Sequence, residues 1–129
     1  MMKRNELRAF VLEDDKAINH LLNIIVRRTG IENIDLAANE YEAEELLKKN
    51  PEKNYHLMIF DTDCPKKGSG PVILKKAREL GYNPKLVIAS SAEAGNKKLW
   101  VEESKADYFL EKPFSVSELV GIIKSHFPE

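Results

Sequence analysis

The sequence predicts an α/β fold, a doubly wound five-stranded parallel sheet in a three-layer αβα arrangement. Three observations predict it. Short segments, most of them apolar, alternate with longer stretches of helical spacing five times along 129 residues. Three of the short segments, around Val11, Ile59 and Val87, are nearly continuous apolar runs, as expected of strands covered on both faces. Acidic residues stand directly after the first and third strands, at the edge where such sheets place their sites.

The first strand is expected over residues 7–12. Ile18, Leu21, Leu22, Ile25 and Val26 then repeat at three and four, the stripe of an amphipathic helix that Gly30 closes. The second strand is the weakest, centred on 35–38 within a window of 31–38. Ala43, Leu46 and Leu47 mark the second helix, stopped by Asn50-Pro51. The third strand covers 55–60, and its helix is traced by Val72, Ile73, Leu74, Ala77 and Leu80 up to Gly81 and Asn83-Pro84. A fourth strand at 85–89 leads to a helix over 93–104, with Leu99 and Trp100 as packing residues. A fifth strand at 107–110 precedes a last helix carrying Leu119, Ile122, Ile123 and Phe127, opened by a capping box of Ser115 and Glu118. No internal repeat or second composition interrupts this pattern, so one domain over residues 1–129, without an output domain, is the expectation.

Composition narrows the function classes. Twenty Lys and Arg against 21 Asp and Glu leave a formal net charge of −1, which gives no general attraction to nucleic acid or anionic lipid. Cys64 is the single cysteine, so an internal disulfide is excluded, and the residue reads as an inert small side chain. The charged start meets Glu13 and Asp14 before a signal-peptide core could form, and no apolar run approaches the ~18 residues of a membrane span. A cytoplasmic protein that binds neither nucleic acid nor membrane is expected. His20, His56 and His126 lack the spaced partners of a histidine metal site.

The chemistry gathers at strand ends: Glu13-Asp14-Asp15 after the first, Asp61 after the third, Lys112-Pro113 after the fifth. Singly these are an N-cap, a turn acid and a surface lysine. Together they define a site. Two carboxylates ~4 Å apart repel by about 4 kcal/mol at an effective dielectric near 20, so the cluster requires a proton or a cation. Hard oxygen donors suit Mg²⁺ or Mn²⁺. A cation there lets a phosphate dianion approach, one carboxylate can act as nucleophile, and Lys112 can stabilise phosphoryl oxygens. Ser90 or Ser91, ending the fourth strand, supplies a hydroxyl.

At this point the chain resembles the response-regulator receiver family, over nearly its whole length. Val11-Leu12-Glu13-Asp14-Asp15 is similar to the family's strand-plus-acids opening, and 57–65, ending Asp61-Thr62-Asp63-Cys64-Pro65, to its phosphorylation segment. Ser91-Ala92 matches the hydroxyl and small residue, and Lys112-Pro113-Phe114 the lysine and cis-proline motif. The resemblance implies a flavodoxin-like (βα)₅ receiver with Asp61 as phosphoacceptor and a metal, Mg²⁺ or Mn²⁺, held by Glu13, Asp14, Asp61 and the Asp63 backbone carbonyl. It implies Ser91 and Lys112 as phosphoryl contacts, Phe109 as the aromatic switch and a cis bond before Pro113. A sensor histidine kinase or histidine phosphotransfer protein would be the donor. A downstream protein or a second copy, forming a homodimer, would use the face of the fourth helix, fifth strand and fifth helix. The protein is not expected to be an enzyme.

Three positions depart from the pattern. Ser69, between Gly68 and Gly70, stands where the family carries glycine, which a one-residue insertion explains. Ser91 has the better local context for the switch, Ser90 the commoner spacing to Lys112. Asp63 and Glu93 add negative charge beside the site. Two rivals remain. A phosphorylation-independent pseudo-receiver conflicts with the intact acids, hydroxyl and lysine. A haloacid-dehalogenase phosphatase would place its Asp-x-Asp motif on the first strand, whereas Asp61-Thr62-Asp63 follows the third.

Overall fold

The computed structural model describes residues 2–63 and 68–129, so Cys64 and Pro65 lie outside the described residues. Five parallel strands, β1 (Arg8–Leu12), β2 (Asn33–Ala37), β3 (Leu57–Asp61), β4 (Leu86–Ser91) and β5 (Tyr108–Glu111), form one sheet in the order β2-β1-β3-β4-β5. Helices α1 (Lys16–Arg28), α2 (Glu40–Lys49), α3 (Ser69–Glu79) and α4 (Val116–His126) cover it. Because every pair is parallel, the C-terminal ends of β1, β3 and β5 lie at one edge, and the strand order reverses there between β1 and β3.

The alternation of side chains along each strand divides the core in two. Phe10, Leu12, Met58, Phe60, Val87 and Ala89 face α2, α3 and Trp100. Ala9, Val11, Leu57, Ile59, Leu86 and Ile88 face α1 and α4. Each central strand thus buries both faces, which is why its sequence is an unbroken apolar run. Side chains cap three helices: Asp15 accepts from Ile18 N–H at 3.0 Å, Asn39 from Glu42 N–H at 2.9 Å, and Ser115 from Glu118 N–H at 3.3 Å.

The structure moves several boundaries, for physical reasons. β3 includes Asp61 and β4 includes both serines, because the ladder pairs Asp61 with Ser90 and Ser91 with Glu111 through backbone groups indifferent to side-chain polarity. β2 is an edge strand. Its Asp35 accepts from Tyr55 Oη at 2.7 Å and Arg8 Nη1 at 3.1 Å, so a polar network replaces part of the apolar signal.

The fourth helix is corrected most. Residues 94–103 are helical, but they open as a 3₁₀ turn (Ala94–Asn96) and close as a π turn (Leu99–Glu103). The widened end is held by Ser104 N–H on Leu99 O at 2.9 Å and Ala106 N–H on Trp100 O at 2.9 Å. It seats Trp100 fully inside, against Phe60 with ring centroids 5.7 Å apart. Arg78 of α3 donates to the carbonyls of Ser104 and Lys105 and so satisfies the end of the turn. Among the described residues no helix is long and apolar enough to cross a membrane.

Candidate functional site

The turn after β1 is fixed by backbone before any side chain matters. Glu13 N–H donates to Ala37 O at 3.0 Å, extending the ladder to β2 by one bond. Asn19, one turn into α1, donates to the carbonyls of Glu13 and Ala37 at 3.0 and 3.2 Å. Glu13 is thereby turned inward and buried, while Asp14 stays exposed at the rim. On the other side, Lys112 N–H donates to Ser91 O at 2.8 Å, and the Lys112–Pro113 peptide is cis. The ammonium of Lys112 reaches across to Glu13 Oε1 at 2.8 Å and to Asp61 Oδ1 at 3.1 Å.

Carboxylate oxygens of Glu13, Asp14 and Asp61 lie within 4.8 Å of one another. The crowding is visible in the acidity of Asp61, pushed up to about 7. Burial disfavours its charge, Glu13 repels it, the ammonium of Lys112 only partly compensates, and a hydrogen bond shared with Asp14 favours the protonated form. Burial works against the Lys112 ammonium too. Its hydrogen bonds to Glu13 and Asp61 outweigh that, so its pKa stands above the ordinary lysine value. A buried site with more negative charge than one ammonium can neutralise, and built from oxygen donors, fits a hard divalent cation.

Behind Asp61 the packing is tight. Thr62 N–H and Thr62 Oγ1 both donate to Ser90 O, at 3.1 and 2.9 Å, and Thr62 Oγ1 accepts from Trp100 Nε1 at 2.8 Å. Gly70 N–H donates to Thr62 O at 2.9 Å. A Cβ on Gly70 would lie 2.1 Å from Asp61 O and 2.9 Å from the Trp100 ring, so only glycine fits. The close-approach glycine is therefore Gly70. Ser69, the position raised by the sequence, is a buried residue of the first turn of α3.

The other expected site residues are arranged less directly. The Asp63 carboxylate is outside the acid cluster and accepts from Gly68 N–H at 2.8 Å. Gly68 has φ +81°, a left-handed conformation that suits glycine as the entry to α3. Ser90 Oγ donates to Phe60 O at 3.4 Å. Ser91 Oγ accepts from Glu93 N–H at 3.0 Å and Asn96 Nδ2 at 2.9 Å. Among the described residues neither serine bonds Asp61. Phe109 is half-buried against the core that contains Trp100. The sequence does not single out Asn19, Thr62 or Asn96 for the site, and it marks Gly70 only as a neighbour of Ser69. Their residue types are ordinary, and only the register shows what they touch.

Fold and site define a class: a receiver domain of a two-component response regulator. The family model described as the response regulator receiver domain matches residues 9–124, and the chain belongs to that family. It is 30% identical over 123 residues to two-component response regulator 24 of Arabidopsis thaliana, covering 95% of this chain and 85% of that protein. It is 32% identical to the transcriptional regulatory protein SrrA of Staphylococcus aureus, covering 89% of this chain but only 45% of SrrA. Among solved structures, the Francisella response regulator 1452 receiver domain superposes with a TM-score of 0.76 at 29% identity, covering 94% of this chain and 96% of that one. Response regulator protein TrrA of Thermotoga maritima, solved in complex with Mg²⁺–BeF, gives 0.72 at 28%, covering 93% and 98%.

Proposed function

We propose that Asp61 is the phosphoacceptor of this receiver domain and that Glu13, Asp14 and Asp61, with the Asp63 backbone carbonyl, hold Mg²⁺ (or Mn²⁺) beside it. One observation carries the reading. A buried Asp61 shares a carboxylate cluster with Glu13 and Asp14, and the Lys112 ammonium bridges Glu13 and Asp61. The TrrA complex with Mg²⁺–BeF supports the choice of ligand.

A bound divalent cation would neutralise the acids and draw phosphoryl oxygens toward them. Asp61 then supplies the electron pair. One of its carboxylate oxygens forms the O–P bond while the P–N bond to a phosphohistidine ring breaks, its electrons remaining on the imidazole, which leaves neutral after taking up a proton. Lys112, already bonded to Oδ1, follows the new negative charge onto a phosphoryl oxygen. A hydroxyl from Ser91 would contact the same group, and movement of Ser91 would be felt at Phe109. Phosphorylation shifts a balance of two pre-existing conformations. The domain is an acceptor rather than a turnover enzyme, and the donor is a histidine kinase or phosphotransfer protein. The readout face is the 94–103 segment, β5 and α4, where Val101, Tyr108 and Val116 are exposed to a downstream partner or a second copy. One domain over residues 1–129, acting in the cytoplasm, completes the reading.

Incubation with acetyl phosphate or phosphoramidate and Mg²⁺ tests this by intact mass. One acid- and base-labile phosphoryl adduct is expected, absent without the cation. A protein that gains no adduct with Mg²⁺ present is a pseudo-receiver. Asp14→Asn is expected to weaken Mg²⁺ binding at least about tenfold, equivalent to 1.4 kcal/mol. Titration followed by NMR checks it, and an unchanged dissociation constant would reduce Asp14 to a turn residue. Glu13→Gln is expected to weaken binding less than Asp14→Asn in the same titration.

A further inference from the structure

The 94–103 segment sends two side chains toward the site from successive turns. Trp100 donates to Thr62, the residue after Asp61, and Asn96 donates to the Ser91 hydroxyl. Ser91 Oγ therefore accepts two bonds, one from Glu93 N–H and one from Asn96. The first is the ordinary local turn of a serine two residues upstream of an N–H. The second comes from five residues on and is not needed for that turn.

We propose that Asn96 is a positioning residue, a latch that holds the Ser91 hydroxyl toward the fourth helical segment and so favours the unphosphorylated conformation. The proposal rests on the reading of Asp61 as phosphoacceptor. Ser91 Oγ bonds Glu93 and Asn96 and not Asp61, so on this proposal it reaches a phosphoryl group there by turning about Cα–Cβ, which gives up the Asn96 bond. The Asn96 amide is half-buried, so water can replace the lost partner. The latch is correspondingly weak and reversible, as suits a residue that biases an equilibrium without blocking it. Only an interaction that differs between two states shifts their balance, and on this proposal the Asn96–Ser91 bond is made in the unphosphorylated one.

Beryllofluoride with Mg²⁺, titrated calorimetrically into the full chain, tests the latch. Asn96→Ala and Asn96→Leu, the latter similar in size but without a donor, are expected to bind the mimic about threefold to tenfold more tightly than wild type. In a Ser91→Ala background the same changes are expected to have no effect, because the bond they remove is already gone. A purely structural Asn96 would lower stability and leave affinity equal or weaker, and that result overturns the latch. So does an equal gain in the Ser91→Ala background. Wild type that binds no beryllofluoride would instead remove the reading of Asp61.

Discussion

Gly70→Ala is expected to destabilise the protein by about 2–4 kcal/mol and to abolish most phosphoryl uptake. The added methyl would lie 2.1 Å from the carbonyl oxygen of Asp61 and 2.9 Å from the Trp100 ring. Neither neighbour can yield cheaply. The carbonyl belongs to β3, the central strand, and Trp100 is fully buried against Phe60. Relief requires moving the strand end that carries Asp61, so stability and site geometry fail together. Urea unfolding at the wild-type slope measures the first effect and intact mass after acetyl phosphate the second. Gly121→Ala, in α4 with nothing within 4 Å of the new methyl, is the control. It is expected to leave stability unchanged or raise it by about 0.5–1 kcal/mol. Equal behaviour of the two variants would contradict the packing account.

The second large effect concerns charge. Without a divalent cation, Asp61→Asn is expected to be more stable than wild type above about pH 7, on the order of 2 kcal/mol. The folded-state pKa of Asp61, about 7, lies above the ordinary 3.8. Between those values the folded protein keeps a proton that the unfolded chain has released. Wild-type stability therefore falls as pH rises from about 4 to about 7, and this loss is complete above the folded value. Asparagine cannot titrate, so the variant lacks this part of the fall. Asparagine also gives up the ion pair of Asp61 with Lys112, and solvent screens part of the charge, so the difference stays below the full shift. Mg²⁺ is expected to stabilise wild type most above about pH 7, where the cluster is fully charged, and to stabilise the variant less. Chemical denaturation at about pH 5 and about pH 8, each with EDTA or Mg²⁺, decides the point. Parallel pH profiles for the two proteins would mean that Asp61 is not under electrostatic strain.

The legibility of fold and site follows from what each signal depends on. β1, β3 and β4 are legible because burial on both faces leaves only apolar residues along most of their length. β2 is faint because an edge strand can afford Asp35, satisfied by Tyr55 and Arg8. Helical spacing locates the 94–103 segment but cannot tell an α turn from a π turn. That choice is made by the seat of Trp100 and by Arg78 on the closing carbonyls, both contacts across the fold. Glu13, Asp14, Asp61 and Lys112 could be proposed as one site because each follows or ends a strand. Asn19, Thr62 and Asn96 act through single hydrogen bonds to neighbours remote in sequence, so their residue types carry no message. The glycine requirement is a case between: the sequence marks two glycines around Ser69, and only the approach of Asp61 O selects Gly70.

Localising the phosphoryl group tests the central claim most directly. Borohydride reduces an aspartyl phosphate to homoserine at the residue that carried it, and peptide mapping then reads the position. Applied after acetyl phosphate and Mg²⁺, the account predicts homoserine at position 61 alone, and none in Asp61→Asn. Homoserine at Asp14, Asp63 or any other aspartate of the wild-type protein, with position 61 unmodified, would contradict it.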